Sequence, residues 1–322
     1  MRRATDLEEL IKGFRIYCLA ERKSTKTIDW YISKLSYFER YLDANELGTD
    51  VAGITVNQLR SFIIHLQTQV TVGLNNPHRP ITDRPLSPRT VAGYARVLKL
   101  FFNWVEREGY AEQNPSRHLR VPKAPKEVVK TLSDDQVQRL IAVIDTRRMN
   151  GFRDLCILLL LLDTGIRLSE LVNLQLPNVE LERGEIKVRG KGDKERIVPI
   201  GANVQKALWK YARRFRPHPA HSNVKNLFLS ARGYGLSGSR VYHMIRGYGD
   251  KAALQGVRCS PHTFRHTFAK NFLLNGGDLF TLQKILGHSS LDVVRLYVNL
   301  ATEDVKIQHR KYSPVDLMRV KV

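Results

Sequence analysis

A chain of 322 residues is long enough for about two domains, each with its own core. An apolar fraction of 43% and a charged fraction of 26% are those of a globular protein, and exclude a disordered or fibrous chain. The outlying property is charge: 52 Lys and Arg face 31 Asp and Glu, a net of +21, which argues for a polyanionic partner.

The excess is uneven. Residues 1–115 carry a net charge of +3, residues 116–131 carry +4, and the remainder carries +14. Cys18, Cys156 and Cys259 are dispersed and form no CxxC pair, so neither a disulfide framework nor a cysteine zinc site is indicated. The longest apolar run, "LCILLLLL" at 155–162, is too short to span a bilayer and reads as a buried helix. Arg2 and Arg3 are followed by the amphipathic "DLEELIKGF" rather than by an apolar signal segment, so no membrane association and a cytoplasmic location are expected.

In chain order, the first half reads as four amphipathic helices. "TDLEELIKGFRIYCLAER" opens with a Thr-x-x-Glu-like cap and recurs at helical spacing. "STKTIDWYISKLSYFERYLDANEL" places Ile28, Tyr31, Ile32, Leu35, Phe38 and Leu42 on one stripe, and "TVNQLRSFIIHLQTQ" is a third helix. The fourth, "SPRTVAGYARVLKLFFNWVEREGY", has Ser87 as N-cap and Pro88 in its first turn. Four such helices over residues 1–115 make a small bundle. Between the third and fourth, the proline-rich 70–88 stretch reads as a long exposed loop, whose His78, Arg79 and Arg84 are either phosphate contacts or solvated side chains. Residues 116–131, "SRHLRVPKAPKEVVKT", read as a basic linker stiffened by two prolines.

The second half, 132–322, reads as helices around a small antiparallel sheet. Ser133 caps "DDQVQRLIAVI", followed by the helices "GFRDLCILLLLLDTG" and "GIRLSELVNLQ". The period then changes: "GEIKVRGKGDKERIVPI" reads as two or more strands with Gly-rich turns. "NVQKALWKYARRF", "SGSRVYHMIRGYGDKAAL", "SPHTFRHTFAKNFL", "DLFTLQKILGHSS" and "LDVVRLYVNLA" are helical.

Four features share a chemistry suited to phosphate. Arg167 follows Gly165 at a loop-to-helix junction, with Glu170 one turn on to orient the guanidinium or cap the helix; a plain surface ion pair gives the same pattern. Lys191, between Gly190 and Gly192, projects from a tight turn where a lysine can protonate a leaving oxygen; Lys194 is its neighbour for the same task. His262 and Arg265 share a face at a helix N-terminus capped by Ser260, where the dipole favours anions. His262 and His266 have zinc-compatible spacing, but Arg265 between them and the lack of an HExxH glutamate argue against metal, and His266 takes a supporting role. His288 follows a helix-ending glycine, and Tyr297 lies nine residues later on an apolar stripe, where a core tyrosine is the plainer reading. Taken together, two guanidiniums can clamp a phosphodiester while a tyrosine hydroxyl attacks phosphorus, a histidine handles its proton, and a lysine supplies one to the leaving oxygen.

These residues carry a family resemblance. "TGIRLSEL", "GKGDKERIVPI", "HTFRHTFA" and "LGHSSLDVVRLYVNL", in this order and spacing, resemble the tyrosine recombinase (phage integrase) family, chiefly its Xer-type and transposon-integrase branches. The resemblance spans about residues 5–315. It implies a mainly α protein, with a SAM-like four-helix core-binding domain and an α-rich catalytic domain. Arg167 and Arg265 are then the clamping arginines, Lys191 the general acid, His262 the acid–base histidine, His288 the histidine that steadies the phosphate, and Tyr297 the nucleophile. It further implies site-specific recombination of double-stranded DNA without metal, cofactor or ATP, in a homo-tetramer or a hetero-tetramer with a second recombinase, with a C-terminal tail docking on a neighbouring subunit. A type IB topoisomerase uses nearly the same chemistry, but the helical first domain and the long tail argue against it. A complete catalytic set argues against a non-catalytic DNA-binding regulator.

Overall fold

A computed structural model of the chain describes residues 6–70, 85–123, 125, 130–190 and 194–287. It divides into two compact units, Met1–Glu127 and Val128–Val322. No helix among the described residues is long and apolar enough to cross a membrane.

The first unit holds α1 (Leu7–Ala20), α2 (Thr25–Ala44), α3 (Val56–Thr68) and α4 (Pro88–Arg107). Their start signals are local. Ser24 and Ser87 each accept the N–H three residues on, from Thr27 at 3.3 Å and Thr90 at 3.2 Å, and Thr55 forms a capping box with Gln58. For α1 the cap is Asp6, which accepts from the Glu8 N–H at 3.1 Å, rather than the Thr-x-x-Glu pattern of the sequence. Thr5, the first residue of that pattern, lies outside the described residues. The stripes meet in an aromatic core in which Phe14 lies edge-on to Phe101 at 5.5 Å, and Phe38 edge-on to Phe62 at 5.0 Å. In α2, Ile28, Leu35, Phe38 and Leu42 are buried, while Tyr31 and Ile32 border the core. Residues 71–84 of the long loop, including His78, Arg79 and Arg84, lie outside the described residues. Its two ends are tied by the bond from the Leu86 N–H to the Val70 carbonyl at 3.3 Å.

The start of the basic 116–131 stretch folds back on this unit. The Lys99 ammonium donates to the carbonyls of Ser116, Arg117 and Leu119 at 2.8, 3.4 and 3.1 Å, and Leu119 is buried. The Ser116 carbonyl also accepts the Leu119 N–H at 3.0 Å, so a backbone bond and one lysine together satisfy the bend.

The second unit contains α5 (Asp134–Ala142), α6 (Met149–Thr164), α7 (Leu168–Asn173), β1 (Val179–Glu180), β2 (Glu185–Arg189), β3 (Glu195–Pro199), α8 (Ala202–Lys210), α9 (Gly238–Lys251), α10 (Pro261–Leu274) and α11 (Leu279–Leu286). A π-helical turn, Tyr211–Phe215, continues α8. The apolar 155–162 run lies in α6, where Cys156, Ile157, Leu158, Leu160 and Leu161 are buried and α10 packs alongside. The sheet is antiparallel in the order β1-β2-β3, with Val188 opposite Arg196 and Arg189 opposite Glu195. The hairpin tip closes through the Gly190 N–H to the Lys194 carbonyl at 2.8 Å. Residues 191–193 of that tip, and everything from 288 on, lie outside the described residues. "LDVVRLYVNLA" therefore falls there too.

Candidate active site

Three elements converge at the C-terminal end of α11. A helix leaves its last carbonyls without intrahelical donors, and its dipole favours cations there. Here three consecutive carbonyls are each taken by an arginine. Arg196 Nε donates to Ile285 at 2.7 Å, Arg265 Nη2 to Leu286 at 2.8 Å, and Arg167 Nη2 to Gly287 at 3.1 Å. The arginines come from β3, from α10 and from the start of α7. Gly287 ends α11 in the left-handed region at φ 63°, as helix ends commonly do.

Arg265 is the most buried of the three, 6% exposed, and its Nη1 also donates to the Gly165 carbonyl at 2.6 Å. It therefore ties α10 both to the α6–α7 turn and to the end of α11. The helix that carries it is firmly placed: Ser260 accepts from the Thr263 N–H at 3.3 Å, Pro261 takes the first turn, and Thr267 Oγ1 accepts from the Leu132 N–H at 2.9 Å.

Arg167 stands at the start of α7. Glu170 reaches back and accepts its backbone N–H at 2.8 Å through Oε2, and its Nη1 at 2.9 Å through Oε1. Glu170 thus both caps the helix and orients the guanidinium, the two roles its spacing offers. The Arg167 side chain keeps 33% of its surface exposed, whereas the Glu170 side chain keeps 1%. Burial alone would raise the Glu170 pKa, but the hydrogen bonds from Arg196 and Arg167 outweigh it and hold the carboxyl below its usual range.

His262 lies in the first turn of α10 and is exposed, open to a ligand; His266, one turn on, is half-buried. Burial lowers the His266 pKa, and the neighbouring His262 and Arg265 lower it further, which favours the neutral ring. Among the described residues no group of three or more His, Cys, Asp or Glu side chains is placed to hold a metal ion. Lys194 is exposed beside the hairpin tip. Lys191, His288 and Tyr297 lie outside the described residues. Of the predicted set, Arg167, Glu170 and Arg265 share one network, and Gly287 carries it to the residue before His288.

The turn beneath these groups requires glycine. Gly165 sits at φ 59°, and a Cβ there would lie 2.5 Å from Phe268 Cδ1 and 2.9 Å from Leu286 Cδ2. Gly165→Ala is expected to cost at least about 2 kcal/mol, from left-handed strain and overpacking. At about 2–4 °C per kcal/mol for a unit of this size, the thermal midpoint should fall by several degrees in differential scanning calorimetry. An unchanged midpoint would mean that the α6–α7 turn rearranges at no cost.

Comparison with known proteins places the chain in a family. The Phage integrase family model matches residues 130–304, and the phage integrase SAM-like domain model matches residues 9–121. The chain belongs to the phage integrase family. It is 30% identical to tyrosine recombinase XerD of Listeria innocua over 311 residues, covering 96% of this chain and 99% of that one. It is 37% identical to tyrosine recombinase XerD of Staphylococcus aureus over 235 residues, covering 73% and 79% of the two chains. The Tn1549 transposon integrase, solved in complex with a circular intermediate DNA, shares the fold with a TM-score of 0.72 at 18% identity, over 96% of this chain and 99% of that one. This integrase-family chain is a Xer-type tyrosine recombinase, an enzyme of site-specific recombination.

One member of the recombinase's buried network was not singled out from the sequence. Arg196 donates to both Glu170 oxygens, at 2.8 and 2.9 Å, from 26 residues away. Its one signal in the sequence is its place in the strand "ERIVPI", two residues before the buried Val198 and so on the same face of the strand.

Proposed function

We propose that the chain cuts and rejoins DNA strands at a specific site through a 3′-phosphotyrosyl intermediate at Tyr297. The supporting observation is the convergence of Arg167 and Arg265 on the end of α11, one residue before His288, with exposed His262 at the start of α10. Arg167 donates two of its five guanidinium N–H groups, to Glu170 and Gly287, which leaves donors for a non-bridging phosphate oxygen. Arg265, fixed by two carbonyls, places a second positive charge beside it, and the two stabilise the added charge of the pentavalent transition state.

In the reaction, the Tyr297 oxygen attacks phosphorus while His262 takes up its proton. The bond from phosphorus to the 5′-oxygen breaks, and Lys191 gives that oxygen a proton. His288 steadies the phosphate. Attack by a 5′-hydroxyl of another strand reverses these steps. The bond energy stays in the phosphotyrosine, so the exchange proceeds without ATP. The cations are built into the protein, so the chemistry calls for no metal or cofactor and should continue in EDTA. The chain acts in the cytoplasm on double-stranded DNA, as a homo-tetramer or with a second recombinase, and the tail beyond residue 300 docks on a neighbour. The complex of the Tn1549 integrase with DNA supports this choice of partner.

The direct test is to trap the protein on a nicked suicide duplex in EDTA, digest the adduct, and locate the nucleotide by mass spectrometry. The expected peptide contains Tyr297; attachment elsewhere, or no adduct, overturns the proposal. DNA affinity should also fall steeply with salt. With about 6–10 phosphates contacted, the loss is about 10³–10⁵-fold between 50 and 200 mM salt. A flat response by fluorescence anisotropy would remove phosphate contact as the meaning of the +21 charge.

A further inference from the structure

Arg196 has no exposed role. Its side chain is 15% exposed, its fork covers both oxygens of a carboxylate that is itself 1% exposed, and its Nε is bonded to the Ile285 carbonyl. The backbone of Gly287 passes against it: a Cβ at Gly287 would lie 3.1 Å from Cδ, Nε and Cζ of Arg196. A residue held in this way is poorly placed to grip DNA, yet it carries a full charge in the middle of the site.

Glu170 is shared between two arginines. Oε1 accepts from Arg167 Nη1 at 2.9 Å and from Arg196 Nη1 at 2.8 Å; Oε2 accepts from the Arg167 N–H at 2.8 Å and from Arg196 Nη2 at 2.9 Å. Arg196 therefore makes the two-pronged contact, and the Arg167 guanidinium makes only a single one. We propose that Arg196 is the counter-ion of Glu170, which leaves the charge and the remaining donors of Arg167 to the scissile phosphate. The three groups together carry a net charge of +1. Without Arg196, both carboxylate oxygens would turn to Arg167, and a fork-to-fork pair would cancel its charge and occupy its donors. Arg196 is on this view a positioning residue, acting through Glu170 on Arg167. The inference rests on the reading of Arg167 as a phosphate clamp.

The test uses the full chain and a nicked duplex bearing the sequence that the Tyr297→Phe protein selects from a random library. Binding affinity and single-turnover cleavage are measured for the native protein, Arg196→Met, Arg196→Lys, and the double variant Arg196→Met with Glu170→Gln. Arg196→Met is expected to bind within about threefold of native and to cleave on the order of 10²-fold more slowly, the scale of one lost transition-state donor. The double variant removes the carboxylate charge that would capture Arg167, and should recover most of that loss. A double variant no faster than Arg196→Met would mean that Arg196 is only a strut, and would overturn the proposal. Should Arg196→Met unfold below the assay temperature, Arg196→Lys decides. It keeps the charge and loses the fork, so near-native cleavage supports the counter-ion role and a 10²-fold loss overturns it. A native protein that forms no adduct on the selected duplex would instead overturn the recombination chemistry itself. An active native protein with an equally active Arg196→Met would overturn only the role of Arg196.

Discussion

Tyr297→Phe is expected to abolish the covalent protein–DNA adduct and to leave DNA affinity within about twofold of native. The substitution removes one phenolic oxygen and no charge. If that oxygen is the nucleophile, its loss leaves nothing to form the phosphotyrosine, and strand cleavage should fall by at least about 10⁴-fold, the scale on which loss of a covalent nucleophile is felt. Binding draws on a different resource, the excess of 52 basic over 31 acidic side chains and the phosphate contacts it allows, which the variant keeps. Denaturing gels of suicide-substrate reactions read the first quantity, and anisotropy at fixed salt reads the second. An adduct that persists in Tyr297→Phe would assign the nucleophile to another residue. Loss of binding along with cleavage would give Tyr297 a structural role, the plainer reading of a tyrosine on an apolar stripe.

What could be read from the sequence was what is local. Ser24, Ser87, Ser133 and Ser260 sit immediately before their helices and bond amides three residues away, so their patterns announce the helix starts. Glu170 was legible for the same reason, since its bonds to Arg167 span three residues. Arg265 was identified as a cation, but not its two carbonyl partners, which lie 100 and 21 residues away in the chain. Arg196 is not legible in the sequence, because nothing near it shows that a carboxylate waits across the fold. Lys99 belongs to the same class: among many basic residues it is unremarked, yet it closes a turn 17 to 20 residues further on. The two-residue strand β1 leaves no mark in the sequence, because a pair of residues carries no periodicity. The π-helical turn after α8 has the same apolar spacing as an ordinary helical end, and the sequence does not separate the two.

The network around Glu170 also sets the largest expected effect on stability. Glu170→Ala is expected to destabilise the second unit by about 3–5 kcal/mol, the cost of breaking a buried ion pair from one side. Glu170 accepts four bonds from Arg167 and Arg196 at 2.8–2.9 Å, and its removal leaves the half-buried Arg196 guanidinium without its carboxylate. It also strips the cap from α7. The thermal midpoint should fall by roughly 6–20 °C, measured by calorimetry. Glu170→Gln should fall less far, because its amide oxygen still accepts a bond. The native protein and Glu170→Gln also differ in a pH-dependent way. The native carboxyl is held below its unfolded value, so its contribution is fully present above the usual carboxylate range. It is lost as pH falls through the depressed native value. Native stability should therefore drop more steeply than that of Glu170→Gln on the acid side, and the two curves should draw together at low pH. Parallel curves across that range would mean that the buried carboxylate is not the group that the arginines hold ionised. The cluster of Arg167, Arg196 and Arg265 would then owe its stability chiefly to the carbonyls at the end of α11.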